Sequence, residues 1–249
     1  MIFSNIKNSF PLISVLPHDI LSKAMKCLNL HSWNLTYDEA IKVQQDLSTR
    51  VILEPFKSEL KLIAGADVSY SKNSDLFFAG VIVLEIPNMI VIEESTAQGR
   101  IDFPYIPGLL SFRESPILIK AFEKLKIVPD VVVLDGQGIA HPRGLGIASH
   151  IGLLLDIPTI GCAKNILVGH YEEPGIEAGD HNPIIFKGKT VGAVVRTKRK
   201  VSPVFVSPGH KMDIPSAAEI ILKTCRGYRL PEPTRQAHLL VNRARLVAD

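Results

Sequence analysis

The chain has 249 residues, 46% of them hydrophobic and 21% charged, which is typical of a folded globular protein of one domain or one domain with an appendage. Its formal net charge of +3 is compatible with a polyanionic partner but is too small to require one. Three cysteines without a CxxC pair exclude a disulfide framework and a zinc finger and favour the cytoplasm, and no apolar stretch reaches the roughly 20 residues of a membrane-spanning helix.

The N-terminal part of the chain has little hydrophobic patterning, and the first predicted elements follow it. Residues 1–33 have little hydrophobic periodicity, and we interpret them as an N-terminal extension of unknown role, with the folded domain over residues 34–249. The first helix is predicted to begin at Thr36, which has capping-box spacing to Glu39. Three strand-like segments with turn residues between them then predict an antiparallel meander. These segments are LKLIAGADVSY, LFFAGVIVLEI and MIVIEESTAQG.

Strands and helices alternate in the next part of the chain. The helix SPILIKAFEKLK precedes a strand that ends at Asp135, and the helix LGIASHIGLLLD precedes the strand TIGCAK, which predicts a parallel β-α-β-α-β arrangement. Two strands and two closing helices complete the pattern: GKTVGAVVRT, PVFVSP, IPSAAEIILKTC and TRQAHLLVNRARLVA. The expected fold class is α/β, a mixed β-sheet flanked by helices on both faces.

Two aspartates stand in segments that are otherwise apolar. Asp135 follows the run VVVL, and Asp67 lies inside LIAGADVSY. An ionised carboxylate held away from water needs a partner. If both side chains project from neighbouring strands toward one sheet edge, a divalent cation relieves their repulsion most simply, and oxygen ligands favour Mg²⁺ or Mn²⁺. The alternative is that Asp67 bonds nearby amides and Asp135 caps or turns the chain before Gly136.

Two further charged residues have a structural and a chemical interpretation. Glu114 precedes Ser115-Pro116 at a predicted helix start, where a first-turn or N-cap role is the alternative to a site role. Lys164 ends the strand segment TIGCAK. It is either a lysine whose charge is paired at the strand end or a positive group that points toward a phosphate. The segment GQG lacks the third glycine of a dinucleotide loop, and the sequence contains no P-loop and no G-x-S-x-G elbow.

Five motifs together resemble the endonuclease V family, the deoxyinosine-specific DNA repair nucleases. They are AGADVSY, PYIPGLLSFRE, PDVVVLDGQGIAHPRGLGIASHIG, IGCAKNILVG and GYRLPEPTRQAH. The resemblance covers roughly residues 34 to 248 and makes residues 34–249 the catalytic domain. It implies an RNase H-like fold, dependence on Mg²⁺ with Mn²⁺ as a substitute, and hydrolysis of the second phosphodiester bond 3′ to deoxyinosine.

The resemblance also assigns catalytic residues. It places the metal-binding set of the family at Asp67, Asp135, Glu114 and His238, and the catalytic lysine at Lys164. On the sequence alone, His238 is a polar-face residue of a helix. Direct or water-mediated metal binding by Glu114 and His238 is left open. The ammonium group of Lys164 would stabilise the extra negative charge of the five-coordinate phosphorus.

The loop PYIPG resembles the strand-separating wedge of the family. In that role the ring of Tyr105 fills the base stack when the damaged nucleotide is extruded, whereas the alternative is a tyrosine packed on the surface. Local hydrogen bonding is the alternative for His141 and Arg113. The full set that the resemblance assigns to DNA or lesion binding is Tyr105, Pro107, Gly108, Leu110, Arg113, Gly136, His141 and Ile147.

The expected partner is inosine-containing DNA. Action on inosine in RNA is left open, because no motif resolves a contact to a 2′-hydroxyl. We expect a monomer with no membrane partner. The alternative function is a non-catalytic nucleic-acid-binding module on the same scaffold. Such a module would be expected to lose one of Asp67, Glu114 or Asp135, and all three are present.

Overall fold

The computed structural model describes residues 25–71 and 75–248, and within them an eight-stranded sheet has the order β3-β2-β1-β4-β5-β8-β7-β6. The strands are β1 (Leu62–Tyr70), β2 (Leu76–Glu85), β3 (Ile90–Arg100), β4 (Val131–Leu134), β5 (Thr159–Ala163), β6 (His181–Phe186), β7 (Lys189–Val195) and β8 (Val204–His210). The helices are α1 (Tyr37–Ser48), α2 (Leu110–Phe122), α3 (Ile147–Leu155), α4 (Ile214–Lys223) and α5 (Glu232–Ala248).

The register of the central strands brings two predicted site residues to one level of the sheet. Strands β1, β2 and β3 form the expected antiparallel meander, whereas β4 is parallel to both β1 and β5. Ala66 pairs with Leu134 across the β1–β4 ladder. The next residue along each strand is Asp67 and Asp135, so the two carboxylates leave neighbouring strands side by side, as expected.

The sheet is buried on both faces by helices, which confirms the predicted fold class. Val132 and Leu134 pack with residues of α2 and α3, and Val131 and Val133 pack with residues of α4 and α5 on the opposite face. A parallel strand covered on both sides has no solvent-facing position, which explains the unbroken apolar run before Asp135.

Helix α1 begins as its sequence predicts. Thr36 Oγ1 accepts a hydrogen bond from the Glu39 backbone N–H at 3.4 Å, and the Thr36 N–H donates to Glu39 Oε2 at 2.8 Å. The capping box is therefore confirmed, and it satisfies amide groups that the first helical turn leaves without partners.

The prediction for the start of α2 was wrong. The helix begins at Leu110, before the predicted start at Ser115, and Pro116 lies inside it. Leu109 and Phe112 are buried in a cluster with Ala40 of α1. Tertiary packing of this segment outweighs the local preference of proline for the first helical turn.

Strand β6 was not predicted. It is a sheet-edge strand that contains Pro183, and its first three residues are exposed or half-buried. Proline within a strand-like run argues against a central strand and is tolerated at an edge, where a backbone N–H is not needed by a neighbour.

The predicted N-terminal extension is described only from residue 25, and residues 1–24 lie outside the described residues. Met25 is buried in the core, and the Leu28 N–H donates to the Leu154 carbonyl of α3 at 2.7 Å. The described end of this segment therefore packs on the domain, and the boundary at residue 34 stays a prediction. Across residues 25–71 and 75–248, no helix combines the length and the apolar character needed to cross a membrane.

Candidate active site and base pocket

Asp67 and Asp135 are each paired with a basic side chain at the sheet edge. Asp67 Oδ2 is 2.8 Å from His238 Nδ1, and Asp67 Oδ1 accepts from the Val68 N–H at 2.8 Å. Asp135 Oδ2 is 2.6 Å from Lys164 Nζ. The Asp67 and Asp135 side chains are 11% and 21% exposed, so both carboxylates face a restricted opening rather than open solvent.

Glu114 completes a cluster of three carboxyl groups. Burial and, after it, the negative charges of Asp67 and Asp135 raise the pKa of the Glu114 carboxyl to about 8. Burial and the charge of Asp135 also raise the pKa of Asp67, against the hydrogen bonds from His238 and Val68. The three groups therefore repel one another when all are ionised in this poorly solvated region, and a bound cation would relieve that repulsion.

His238 has a defined orientation on α5. An ionised Asp67 carboxylate can only accept, so the His238 Nδ1–H donates to it, and Nε2 then accepts from Asn242 Nδ2 at 3.0 Å. Helix α5 reaches β1 because Gly65 has no side chain, since a Cβ at that position would lie 1.8 Å from the Pro233 carbonyl oxygen. Gly65 thus permits the close approach that brings His238 to Asp67.

Lys164 is held through its backbone. Arg229 Nη2 donates to the Lys164 carbonyl at 2.7 Å and to the Pro203 carbonyl at 2.9 Å. This contact fixes the chain directly after β5 while the ammonium group reaches Asp135. Asp135 is therefore positioned by the end of β4, whereas Lys164 is positioned by the end of β5 and by Arg229.

The chemistry of this donor set fits a divalent cation. Carboxylate oxygens are the ligands that Mg²⁺ and Mn²⁺ prefer, and an imidazole nitrogen is compatible with them. Over the described ranges 25–71 and 75–248, no three His, Cys, Asp or Glu side chains already converge as a metal cage. Hydrogen bonds join the aspartates to His238 and Lys164 in two pairs, and Glu114 is linked to the aspartates by the charge interactions that raise its pKa.

A cavity of about 270 Å³ lies beside the carboxyl cluster. All residues predicted to bind the lesion except Arg113 line it: Tyr105, Pro107, Gly108, Leu110, Gly136, His141 and Ile147. Sequence reasoning missed several other lining residues, among them Ser111, Gln137 and the segment from Asn165 to Leu167. The segment from Asn165 to Leu167 lies within the motif IGCAKNILVG, so this motif could have indicated that it lines the site.

The loop PYIPG, which carries Tyr105, is fixed at Gly108. The Gly108 carbonyl accepts hydrogen bonds from Gln44 Nε2 at 3.1 Å, His141 Nε2 at 3.1 Å and Arg143 Nη2 at 2.8 Å. Burial and the charge of Arg143 lower the pKa of His141 to about 4, so His141 is neutral and donates through Nε2. Tyr105 stands at the cavity wall with 69% of its surface exposed.

Arg113 lies apart from the cavity. Its guanidinium donates to the Phe103 carbonyl and stands 4.7 Å from the centroid of the Phe77 ring. These contacts correspond to the local hydrogen-bonding alternative, and the structure does not bring Arg113 to the other lesion residues.

Comparison with known proteins gives consistent matches. A family model described as endonuclease V matches residues 45–239. Endonuclease V of Dictyoglomus turgidum is 52% identical over 208 residues, which cover 83% of this chain and 90% of that protein. The crystal structure of endonuclease V from Streptomyces avermitilis has a TM-score of 0.83 and 42% identity, covering 87% of this chain and 96% of that chain.

A third similar protein was crystallised with nucleic acid. The structure of Ciona intestinalis endonuclease V is in complex with a 24mer DNA that contains an inosine followed by a ribo-adenosine. It is 30% identical with a TM-score of 0.74, and the match covers 84% of this chain and 97% of that chain. The solved structures confirm the expected RNase H-like α/β fold.

Proposed function

This chain belongs to the endonuclease V family, and from that premise we propose that it recognises deoxyinosine in DNA and hydrolyses the second phosphodiester bond on the 3′ side of the lesion. Membership of the family makes the chain an endonuclease, a hydrolase of phosphodiester bonds. The observation that carries the proposal is that the cavity and the carboxyl cluster share two segments. Gly136 lines the cavity directly after Asp135, and Leu110 lines it one helical turn before Glu114.

The cavity fits an extruded base. A base within a duplex must leave the stack before its edges can be read. The loop that carries Tyr105 is anchored at Gly108 by three hydrogen bonds, so it can hold an aromatic ring against the neighbouring bases without collapsing. A base that enters the cavity then brings its own backbone toward Asp135 and Glu114.

We propose that a divalent cation, Mg²⁺ with Mn²⁺ as a substitute, would be held by Asp67, Asp135 and Glu114. His238 would complete the set through a water, or directly if its Nε2 leaves Asn242. When bound, such an ion polarises a phosphoryl oxygen and lowers the pKa of the attacking water. The ligand residues are kept in place by the chain itself, because Asn242 orients the His238 imidazole and the Val68 amide orients Asp67. The Lys164 ammonium stabilises the charge that accumulates on the phosphate oxygens during reaction.

The finer properties are proposals of the same kind. Cys27, Cys162 and Cys225 are free thiols, in keeping with a reducing cytoplasm. We propose a monomer that acts on DNA and leave inosine in RNA as a second substrate to be tested. Light scattering during gel filtration tests the monomer, and a dimer mass would contradict it.

A nicking assay tests the function. Matched DNA and RNA strands with one inosine, and adenine-containing controls, are incubated with Mg²⁺, Mn²⁺ or EDTA. We expect metal-dependent nicking of the inosine DNA at the second bond 3′ to the lesion, no nicking in EDTA, and no cut at adenine. Asp135→Asn should abolish nicking and keep lesion binding, whereas Glu123→Gln, an exposed charge beyond α2, should leave both unchanged. Tight binding by wild type without any nicking would favour the binding module instead.

A further inference from the structure

A stacked pair of side chains, Tyr228 and Arg235, lies beside the carboxyl site and is not used by the chemistry proposed above. The Arg235 guanidinium carbon is 4.4 Å from the centroid of the Tyr228 ring. Arg235 also donates from Nε and Nη2 to the two carboxylate oxygens of Glu232, both at 2.8 Å, and the Glu232 side chain is only 6% exposed. Two bonds to a buried carboxylate fix the plane of the guanidinium, and the ring that stacks on it is held in turn.

Two independent connections place this pair next to the reacting groups. Arg235 precedes His238 by three residues on α5, so both side chains project from adjoining positions of one helix face. Tyr228 directly precedes Arg229, whose guanidinium donates to the Lys164 carbonyl at 2.7 Å. The pair therefore belongs to a short stretch of chain that anchors Lys164 at one end and leads into the helix of His238 at the other.

The ring of Tyr228 is open to a ligand. Tyr228 is 53% exposed, although the Arg235 guanidinium lies over its ring. The result is a flat aromatic surface that is held in place and backed by a positive charge. Nucleobases stack on such rings, and the same family of contacts tolerates any base because every base has a π-face.

The fold determines which part of a DNA strand can reach this ring. The base cavity is lined by the first residues of α2 and α3, which pack on one face of the sheet, whereas α5 packs on the opposite face. Asp67 and Asp135 lie at the sheet edge between these faces. A strand whose damaged base occupies the cavity crosses that edge to be cut and then continues on the side of α5. Because the proposed cut is 3′ to the lesion, the nucleotide on the α5 side lies 3′ to the cut bond.

We propose that Tyr228 is a stacking platform for the base of the first nucleotide 3′ to the cleaved bond, and that Arg235 is the positioning residue that holds the ring. The inference rests on the proposed function, because it takes the position of the cut from there. The strand is then held on both sides of the scissile phosphate, with the damaged base in the cavity on one side and the stacked base on the other. Such two-sided holding keeps the phosphate aligned with the carboxyl cluster.

Abasic substrates test the contact itself. Binding of a duplex with one deoxyinosine is measured by anisotropy with Mg²⁺ in the Asp135→Asn background, so that the strand stays intact. Tyr228→Ala should weaken binding about tenfold, a typical loss for one base–aromatic contact, and Tyr228→Phe should keep most of the affinity. On a duplex in which the first nucleotide 3′ to the cut position is abasic, Tyr228→Ala should have no effect.

Tyr37→Ala is the matched control. Tyr37 is 52% exposed on α1, which is remote in sequence from the stacked pair, and its replacement should alter binding of neither duplex. Urea unfolding establishes that each variant is folded under the conditions of the titration. An equal loss on the intact and the abasic duplex after Tyr228→Ala, or no loss on the intact duplex, would overturn the proposal.

A double substitution tests the role of Arg235. Arg235→Ala is combined with Glu232→Gln, so that no buried carboxylate is left without its cation. This variant should lose part of the affinity for the intact duplex and none for the abasic one, because the ring is still present but is no longer held. Full affinity for the intact duplex would refute the positioning role.

The position of the abasic nucleotide separates this inference from the proposed function. If an abasic nucleotide 5′ to the lesion, and not the one 3′ to the cut, cancels the effect of Tyr228→Ala while nicking stays at the second bond 3′ to inosine, the stacking assignment alone is refuted. Conversely, an enzyme that cuts at another bond would refute the proposed function. A Tyr228 effect that depends on the nucleotide 3′ to that other bond would still support the stacking platform.

Discussion

Gly65→Ala tests whether the carboxyl site depends on the close approach of α5 to β1. The added Cβ would lie 1.8 Å from the Pro233 carbonyl oxygen and 2.9 Å from Pro233 Cα. Backbone atoms cannot rotate away, so the start of α5 must move by more than about 1 Å to reach ordinary contact. We expect the free energy of unfolding to fall by about 1–3 kcal/mol, the usual range for overpacking. Because α5 carries His238, single-turnover nicking should fall on the order of 10²-fold.

The matched control for this change is Gly99→Ala. Gly99 lies in β3 of the same sheet, and a Cβ there would meet only side-chain atoms, the nearest being Ile117 Cδ1 at 3.3 Å. Urea unfolding gives the stability of both variants, and nicking is measured under conditions in which each is folded. Wild-type stability and rate in Gly65→Ala would refute the account of how His238 reaches Asp67. A loss of stability with an unchanged rate would refute only the link between α5 and catalysis.

Three further predictions concern single side chains. Lys164→Ala should lower the single-turnover rate by on the order of 10² with a much smaller change in affinity, because the charge that it stabilises grows during reaction. A loss seen only in binding would make Lys164 a phosphate-positioning residue. Tyr105→Ala should lose about 1–3 kcal/mol of binding free energy for inosine duplex in an anisotropy titration, while Tyr105→Phe keeps most of it. Equal losses of activity on paired, mismatched and single-stranded inosine would contradict the wedge role. Burial and the charge of His31 lower the pKa of His150 from its ordinary value of 6.5 to about 3, so the unfolded chain binds a proton that the folded chain excludes. Stability should not depend on this group above about pH 6.5 and should fall by up to about 1.4 kcal/mol per pH unit below it; His150→Gln should remove that part of the slope in urea titrations at several pH values, and an unchanged slope would contradict the assignment.

The sheet was predictable because its signals are local. The run before Asp135 is apolar at every position, as a strand buried on both faces must be, and a carboxylate at its end is anomalous without any alignment. Asp67 is anomalous for the same reason. The sequence predicted that Asp67 and Asp135 lie side by side if their strands are neighbours. The pairing of Ala66 with Leu134 makes them neighbours.

Other parts of the site depend on contacts that no local pattern encodes. His238 lies 171 positions from Asp67 and is half-exposed on a polar helix face, so only the family resemblance pointed to it. The predicted start of α2 was wrong because the burial of Phe112 outweighs the preference of Ser115-Pro116 for the beginning of a helix. The bond between His31 and His150 joins residues 119 positions apart, one of them in a segment without hydrophobic periodicity.

The cavity wall and the carboxyl cluster share one rigid element, helix α2. Ser111 and Glu114 are three residues apart on α2, a rise of about 4.5 Å along the helix axis, and their side chains lie on adjoining parts of its buried face. A base bound in the cavity as proposed would therefore be held at a fixed distance from the carboxyl cluster, whereas a base that does not fit the cavity would not bring its backbone to the same place. Selection against adenine would then act on the rate as well as on binding, because the wrong base would misplace the phosphate relative to Asp135 and Lys164.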